Sequence, residues 1–550
     1  MTDKSTYSVT FVFVFIAFHC VFCALFNVFC AKKDLAVLQR NGYKVKGYFA
    51  WLFKRVKRRF LKRAVCSLFV FALCFCAALF TAKLTFSPFL TDGVYVILCG
   101  LTLLFKSKEK AKTPFVFTAR GKRLFAAFTV LLLIFSFALA AFSLLFKGVK
   151  NINYLSFSVA FPSIMFAITP LLIALASLIL SPFEKANNKR YVEKAKRKLI
   201  AQPNLIRIAI TGSYGKTTIK EMLATILSEK FSVLATPASF NTPLGIAKTV
   251  EKLSDETQIF IAEAGARRKG DIKELCEIID PDIAVITGIA SQHIETFGSL
   301  DEIKNTKAEL LESKNVRAAY FPADDKDALS LKTRVFKDVK TYVAGFDKEE
   351  KPYLTAENFT LNGQGSAFTL VFGSEKAQVF TSLLGKHNVA DILLASAVAL
   401  GLGLKLGEVA AGIARIKPVK HRLEVVRNDN ILIIDDAYNS NEKGVKTALE
   451  VLKSFDGRKV LVTPGIVEAG KKTYEINFAL GLAAAAVCDI IVLEESDGKT
   501  ALYEGLIKGG KKEKDIVFVK NSFAASEYLK GVLKSGDKVL FENDLGDEYT

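Results

Sequence analysis

The stretch Ile206-Arg207-Ile208-Ala209-Ile210-Thr211-Gly212-Ser213-Tyr214-Gly215-Lys216-Thr217-Thr218 decides the fold of the larger part of this chain. Its β-branched run predicts a strand over Ile206 to Thr211. Two glycines then let the backbone turn tightly, and a helix is expected from about Lys216 to Leu227. A strand, a tight loop and a helix N-terminus in this order aim backbone amides at phosphate oxygens. Gly212, Ser213, Gly215 and Thr218 would form the cradle, Lys216 would neutralise β- and γ-phosphate charge, and the Thr217 hydroxyl would ligate Mg²⁺. The general phosphate loop Gly-x-x-x-x-Gly-Lys would need a glycine at position 210, which is Ile210. What remains is the shorter form Thr-Gly-Ser-x-Gly-Lys-Thr-Thr.

Downstream of this loop, short β-rich runs alternate with helical ones, the pattern of parallel α/β domains. Strands are expected at Ile206 to Thr211, Gln258 to Ala262, Ala284 to Thr287, Ile431 to Asp435, Lys459 to Thr463, Ile490 to Leu493 and Val539 to Glu542. Lys417-Pro418 interrupts the pattern. The expected organisation is a central nucleotide-binding domain over 205–418 and a Rossmann-like C-terminal domain over 419–550.

Upstream the chain has a different character. Residues 1–200 carry 30 Lys and Arg against 6 Asp and Glu, whereas the remainder holds 45 against 49. The basic excess therefore belongs to the apolar half, where anionic headgroups and membrane topology account for it, and a nucleic-acid partner is not expected. Five segments are long and apolar enough to span a bilayer as helices, about 8–30, 64–82, 86–105, 124–146 and 155–182. Together they predict an α-helical membrane domain over 1–184, followed by a basic connector over 185–204. The first run is too long, and too poor in flanking positive charge, for a signal peptide. Basic loops over Lys32 to Arg63, Lys106 to Arg123 and Lys185 to Lys198 place the N-terminus outside and the α/β domains in the cytoplasm. The aromatic and basic stretch Gly42 to Arg63 suggests an interfacial helix. Asp92, an acid near the outer end of the third span, is expected at the interface, with an ion pathway as the alternative. Nine cysteines show no disulfide spacing and no zinc-ligand pattern, and are read as small buried apolar groups.

Several further motifs follow the phosphate loop in order. Ala235-Thr236-Pro237-Ala238-Ser239-Phe240-Asn241-Thr242-Pro243-Leu244-Gly245 is followed by Phe260-Ile261-Ala262-Glu263-Ala264-Gly265-Ala266 and by Ser291-Gln292-His293. Then come the segment from Gly298 to Leu310 with Lys304 and Lys307, Leu384-Gly385-Lys386-His387-Asn388, Lys417-Pro418-Val419-Lys420-His421-Arg422, and Asp435-Asp436-Ala437-Tyr438-Asn439-Ser440-Asn441. In content and order this series resembles the Mur ligase family, which adds amino acids to the peptidoglycan stem peptide. The wording Ala-Thr-Pro-x-x-Phe-Asn, Glu-Ala-Gly-Ala and Asp-Asp-Ala-Tyr-Asn-Ser-Asn is most similar to the MurF type, which joins D-alanyl-D-alanine to the UDP-muramoyl tripeptide.

The resemblance implies roles residue by residue. Asn241 and Thr242 would face the reacting phosphate and carboxylate. Glu263 and His293 would be magnesium ligands beside Thr217. Lys307, with Lys304 as the rival, would be a carbamylated lysine bridging to a second Mg²⁺. Asn388 would approach the adenine, Arg422 the nucleotide phosphates, Asp436 the ribose, and Tyr438 and Asn439 would line the same site. The implied chemistry is ATP-dependent formation of an amide bond, in which a carboxylate becomes an acyl phosphate and an amine displaces phosphate. Expected partners are a muramyl peptide cell-wall precursor, UDP- or lipid-linked, an amino acid or D-Ala-D-Ala, and the lipid bilayer. The five expected spans stand where the family carries its UDP-sugar domain. Another Mur-like amide ligase, of the poly-γ-glutamate or lipid-bound peptide type, and a transporter driven by a phosphate-loop ATPase remain as alternatives.

Overall fold

The computed structural model describes residues 8–54, 57–80, 87–104, 115–146, 154–290, 294–362, 364–428, 430–437, 442–467 and 472–543. The chain divides into two compact units, one reaching Asn187 and the other starting at Asn188.

The first unit is helical. Val9–Cys30 opens with Ser8, whose hydroxyl accepts from the Phe11 amide at 3.1 Å, and Ala119–Phe142 opens on Thr118 in the same manner. Three helical stretches, Thr10–Cys30, Ala119–Phe142 and Leu155–Ile200, are long and apolar enough to cross a membrane by length and composition. Ala64–Phe80 and Ser87–Leu101 are shorter apolar helices, and parts of the loops expected around them lie outside the described residues. Leu124, Phe128 and Leu132 recur at helical spacing and are buried, while Val130, Ile134 and Phe142 of the same helix are exposed. A helix apolar on both its inner and its outer face suits lipid better than water.

The unit also holds polar groups inside. Arg123 clasps the buried carboxylate of Glu184 through two bonds of 2.6 and 3.0 Å. Asp92 is not simply interfacial, because its Oδ1 lies 2.7 Å from Nδ1 of His19, a residue in the middle of the first helix. The pairing joins two helices and cannot be read along either one. In the stretch expected to lie at the interface, Val45–Lys54 is helical, but its Tyr48 is fully buried with the hydroxyl 3.3 Å from Asp34.

Among its described residues the second unit contains three sheets. The first comprises β1 (Ile206–Thr211), β2 (Val233–Ala235), β3 (Ile259–Glu263), β4 (Ile283–Ile286), β5 (Ala318–Pro322) and β6 (Lys340–Ala344), all parallel in the order β2-β3-β1-β4-β5-β6. Ile208, Ile210, Ile259 and Ile261 pack into one core, and Ala209, Phe260, Ala262 and Ala284 into another. The sheet is thus buried on both faces, which explains why its strands read as nearly unbroken apolar runs.

An antiparallel sheet of β7 (Thr355–Asn362), β8 (Gly365–Phe372) and β9 (Glu375–Thr381) follows. The alternating α/β pattern gave no sign of it. A third sheet has the order β10-β11-β15-β12-β13-β14, from β10 (Glu424–Asn428), β11 (Ile431–Asp436), β12 (Lys459–Thr463), β13 (Ile490–Glu494), β14 (Ile516–Val519) and β15 (Lys538–Glu542). Its β10 is antiparallel to β11 and the other pairs are parallel.

Candidate active site

In the first sheet the strand order reverses around β1, so a crevice opens beyond its C-terminal end, where ligands of open α/β sheets bind. The phosphate loop fills that position. Gly212 has no room for a side chain, since a Cβ there would run into the Thr287 hydroxyl and stand 3.0 Å from the Gly288 carbonyl oxygen. Ser213 is held by its amide on the Gly288 carbonyl at 2.8 Å and its hydroxyl on Ala290 at 3.0 Å. Gly215 caps the helix Lys216–Leu227 with a left-handed φ of 79°. Tyr214, between them, sends its hydroxyl to Asp325 at 2.5 Å.

Lys216 Nζ donates to the carbonyls of Gly212 at 2.7 Å and Ser213 at 3.2 Å. Burial pushes its ammonium down to about 8, with Glu263 opposing the fall and Arg422 adding to it. The Thr217 hydroxyl donates to Glu263 Oε2 at 2.8 Å, and Asn241 Nδ2 donates to Glu263 Oε1 at 3.0 Å. Glu263, at the end of β3, is 1% exposed. The phosphate-loop helix and the loop carrying Asn241 therefore converge on one buried carboxylate. The Thr242 hydroxyl accepts from the Gly245 amide at 3.3 Å and caps the helix Pro243–Val250, a bond that by itself accounts for a threonine there.

Lys307, on the helix Leu300–Ala308, is 3% exposed, and no hydrogen bond or ion pair joins its ammonium to another described residue. Burial first, and then the charge of Lys216, push it down to about 7 against the pull of Asp271, Glu309 and Glu263. Lys304, one turn earlier, pairs instead with Asp327 at 2.7 Å. His293, Tyr438 and Asn439 lie outside the described residues.

Beside the loop is a cavity of about 450 Å³ whose walls include Tyr214, Gly215, Thr218, Asn388, Arg422 and Asp436. Its size is within the range of small-molecule sites. Asn388 Nδ2 is turned onto the Leu384 carbonyl at 2.8 Å. Asp436 Oδ1 accepts from the Leu423 amide at 3.2 Å, and burial pushes its carboxyl up to about 6 against that bond, Glu542 and Arg422. Arg422 is flanked by two non-glycine residues in the left-handed region, His421 at φ 62° and Leu423 at φ 46°. The His421 ring is clasped to Asp435 at 2.7 Å.

Two residues emerge that the sequence motifs did not mark. Asp391 lines the cavity, and burial pushes its carboxyl up to about 7 with Arg422 opposing. Lys220 is fully buried next to Glu263. Its spacing of four from Lys216 puts both on one helix face, a signal present in the sequence.

These residues fit a magnesium nucleotide. Thr217 and Glu263 offer hard oxygen donors, which suit Mg²⁺. Lys216 and Lys307, both within electrostatic reach of Glu263, offer cationic groups to phosphate oxygens.

Comparison with known proteins gives the same direction. The family model for the Mur ligase middle domain matches residues 210–399, and that for the Mur ligase glutamate ligase domain matches residues 421–542. The UDP-N-acetylmuramoyl-tripeptide–D-alanyl-D-alanine ligase of Mycobacterium bovis is 30% identical over 60% of this chain and 69% of its own length. The chain belongs to the Mur ligase family. Mur ligases are ATP-dependent acid–amino-acid ligases. The Escherichia coli enzyme of the same name as the M. bovis one is 32% identical over 51% of this Mur ligase, which spans 62% of the E. coli enzyme's length. The crystal structure of a MurF ligase from Thermotoga maritima in complex with ADP superposes with a TM-score of 0.57 at 27% identity, over 65% of this chain and 80% of that one.

Proposed function

We propose that this Mur ligase is a membrane-anchored enzyme of the MurF type, which joins D-Ala-D-Ala or an amino acid to a muramyl peptide precursor. The observation that carries the reading is the convergence of Thr217, Asn241 and Lys220 on Glu263 beside Lys216, at the end of β1, in a chain similar to MurF ligases. ATP supplies the phosphoryl group that turns the acceptor carboxylate into an acyl phosphate, and a bound Mg²⁺ would supply charge to offset what develops during its transfer. Lys216 would bind the β- and γ-phosphates, Thr217 and Glu263 would hold the metal together with His293, and Asn241 keeps Glu263 oriented. Arg422, Asn388, Asp436, Tyr438 and Asn439 would bind the nucleotide around the cavity, which residues of the central and of the Rossmann-like C-terminal domain both line. Lys307, buried and without a hydrogen bond or ion pair to another described residue, would take up CO₂ as a carbamate with release of a proton, and would then offer an anionic ligand for a second Mg²⁺.

The apolar helices of the first unit hold the enzyme in the membrane, in five spans with the N-terminus outside and the ligase domains in the cytoplasm. That location favours an acceptor presented at the membrane surface, whether UDP-linked or lipid-linked. The test is purified full-length protein with ATP, Mg²⁺ and a panel of UDP-linked and lipid-linked muramyl peptides, each with D-Ala-D-Ala or single amino acids, and products read by mass. ATP-dependent condensation with one pair supports the reading. Turnover with none of them sinks it, and a product from a different acid or amine moves the enzyme to another branch of the family.

A further inference from the structure

We infer that Lys220 is a positioning residue that locks the loop Thr236–Asn241 and the carboxylate of Glu263 into one arrangement; the inference rests on the ligase reading above. Lys220 lies one turn along the phosphate-loop helix from Lys216, and its side chain is 0% exposed. Lysine is almost never fully buried without a partner, because an apolar residue fills such space without the desolvation of an ammonium group.

The partners here point in one direction. Lys220 Nζ donates to the Ala238 carbonyl, lies 3.1 Å from Glu221 Oε1 and 3.7 Å from Glu263 Oε2. Among the described residues it is the cation within ion-pair distance of Glu263. Ala238 is itself unusual, a non-glycine residue at φ 45°. L-residues leave the left-handed region unless something holds them there. The turn that Ala238 makes brings Asn241 back to Glu263 Oε1, while the Thr236 hydroxyl accepts from the Glu263 amide at 3.1 Å. Lys220 thus binds both ends of a closed circuit, the strained carbonyl in the loop and the carboxylate that the loop reaches. Its contacts are with the Ala238 carbonyl, with Glu263 and with its half-exposed neighbour Glu221 on the same helix, so it acts through them and not on substrate.

The test uses the full chain in detergent. In Lys220→Met, which keeps the length of the side chain and removes the charge, hydrogen–deuterium exchange of the amides in 236–242 is expected to accelerate about tenfold. Binding of Mn²⁺ with ADP, followed by electron paramagnetic resonance, should weaken roughly 10- to 100-fold, the usual loss when a ligand's supporting partner is removed. The KM for ATP should change much less than kcat. Adding Ala238→Asn, a residue that tolerates the left-handed region, should restore part of the protection. If Lys220→Met does not fold, Lys220→Gln, which keeps a donor but no charge, is read in its place and should fall between. Unchanged exchange and unchanged Mn²⁺ affinity overturn the inference. A wild-type protein that binds Mn²⁺ with ADP but ligates nothing would sink the ligase reading alone, because neither readout depends on ligation.

Discussion

The Thr217 hydroxyl and the Glu263 carboxylate are joined by a bond of 2.8 Å that ties the first turn of the phosphate-loop helix to the last residue of β3. Both are oxygen donors suited to Mg²⁺, and in Glu263→Gln the anionic one is replaced by an amide of the same shape. The expected outcome is a Mg²⁺ requirement raised by about 10- to 100-fold, with ATP turnover reduced to a similar degree. Thr217→Ala should have a smaller effect, since the carboxylate remains. Titration of ATPase activity against Mg²⁺ checks both, and an unchanged half-saturation in Glu263→Gln would take that residue out of the metal site.

Lys216 folds its ammonium onto the Gly212 and Ser213 carbonyls, and a phosphate bound as proposed would exchange these bonds for its own. On the proposed mechanism Lys216→Ala removes the charge that would meet the transferred phosphoryl group, and ATP turnover should fall by about 1,000-fold or more. Membrane insertion should be intact, as judged by resistance of the protein to alkaline extraction from membranes. Retained turnover would remove the loop from the mechanism.

For Lys307 the deciding feature is a buried amine held near 7 with no ion pair among the described residues. Lys307→Ala should lower kcat by about 10- to 100-fold. Short-chain carboxylic acids should restore part of the activity, because they supply the oxygen pair that a carbamate would. Lys304→Ala, which loses an outward ion pair with Asp327, should be nearly silent. The comparison of the two variants with and without added acetate or propionate decides between them, and a Lys307→Ala enzyme with full activity would exclude the carbamate.

The phosphate loop was legible because its chemistry is local. Strand, two glycines, lysine, threonine and helix follow one another within 22 residues, and the helix runs from Lys216 to Leu227 as its sequence suggests. The parallel strands β1, β3, β4, β11, β12, β13 and β15 were legible for a different reason, their apolar runs, whereas β2, β5, β6 and β14, three of them at sheet edges and only partly buried, were not. The antiparallel sheet β7 to β9 escaped because its alternating residues face solvent on one side, as in Thr355–Asn362, and resemble loop composition. Contacts between distant segments were not legible at all. Asn241 meets Glu263 across 22 positions and Tyr214 meets Asp325 across 111, and no spacing rule connects them. Asp391 illustrates the limit further. As one polar residue early in an apolar helix it reads as a surface position, and only the fold turns it towards the cavity.

Asp391 also gives a dependence on pH with a definite sign. Its folded-state carboxyl is raised to about 7 from an ordinary value of 3.8, so its contribution to stability is complete below about pH 4 and is lost as pH rises through about 7. Asparagine cannot ionise. Asp391→Asn should therefore melt higher than wild type at pH 8, by roughly 1–2 °C for each kcal/mol relieved in a unit of this size, and should show a clearly smaller advantage at pH 5, where only part of that loss has accrued. Thermal unfolding at the two pH values checks it. An equal difference at both would mean that the carboxyl is not forced to ionise inside the cavity.

In the first unit, His19 and Asp92 offer a prediction that does not involve the ligase site. The pair joins two apolar helices through a 2.7 Å contact, with His19 1% exposed and the Asp92 side chain 21% exposed. The other ring nitrogen, Nε2, is buried without a hydrogen-bond partner among the described residues. Removing one member leaves the other polar group stranded among apolar side chains. Asp92→Leu or His19→Leu alone should destabilise the unit toward the low end of the roughly 3–5 kcal/mol seen when a buried pair is broken. The double replacement should be milder than either, since nothing polar then remains to be stranded. Thermal unfolding in detergent of the two single variants and the double variant forms a complete cycle. If the two single losses simply add in the double variant, the pair is not coupled, and the contact contributes nothing to holding these helices together.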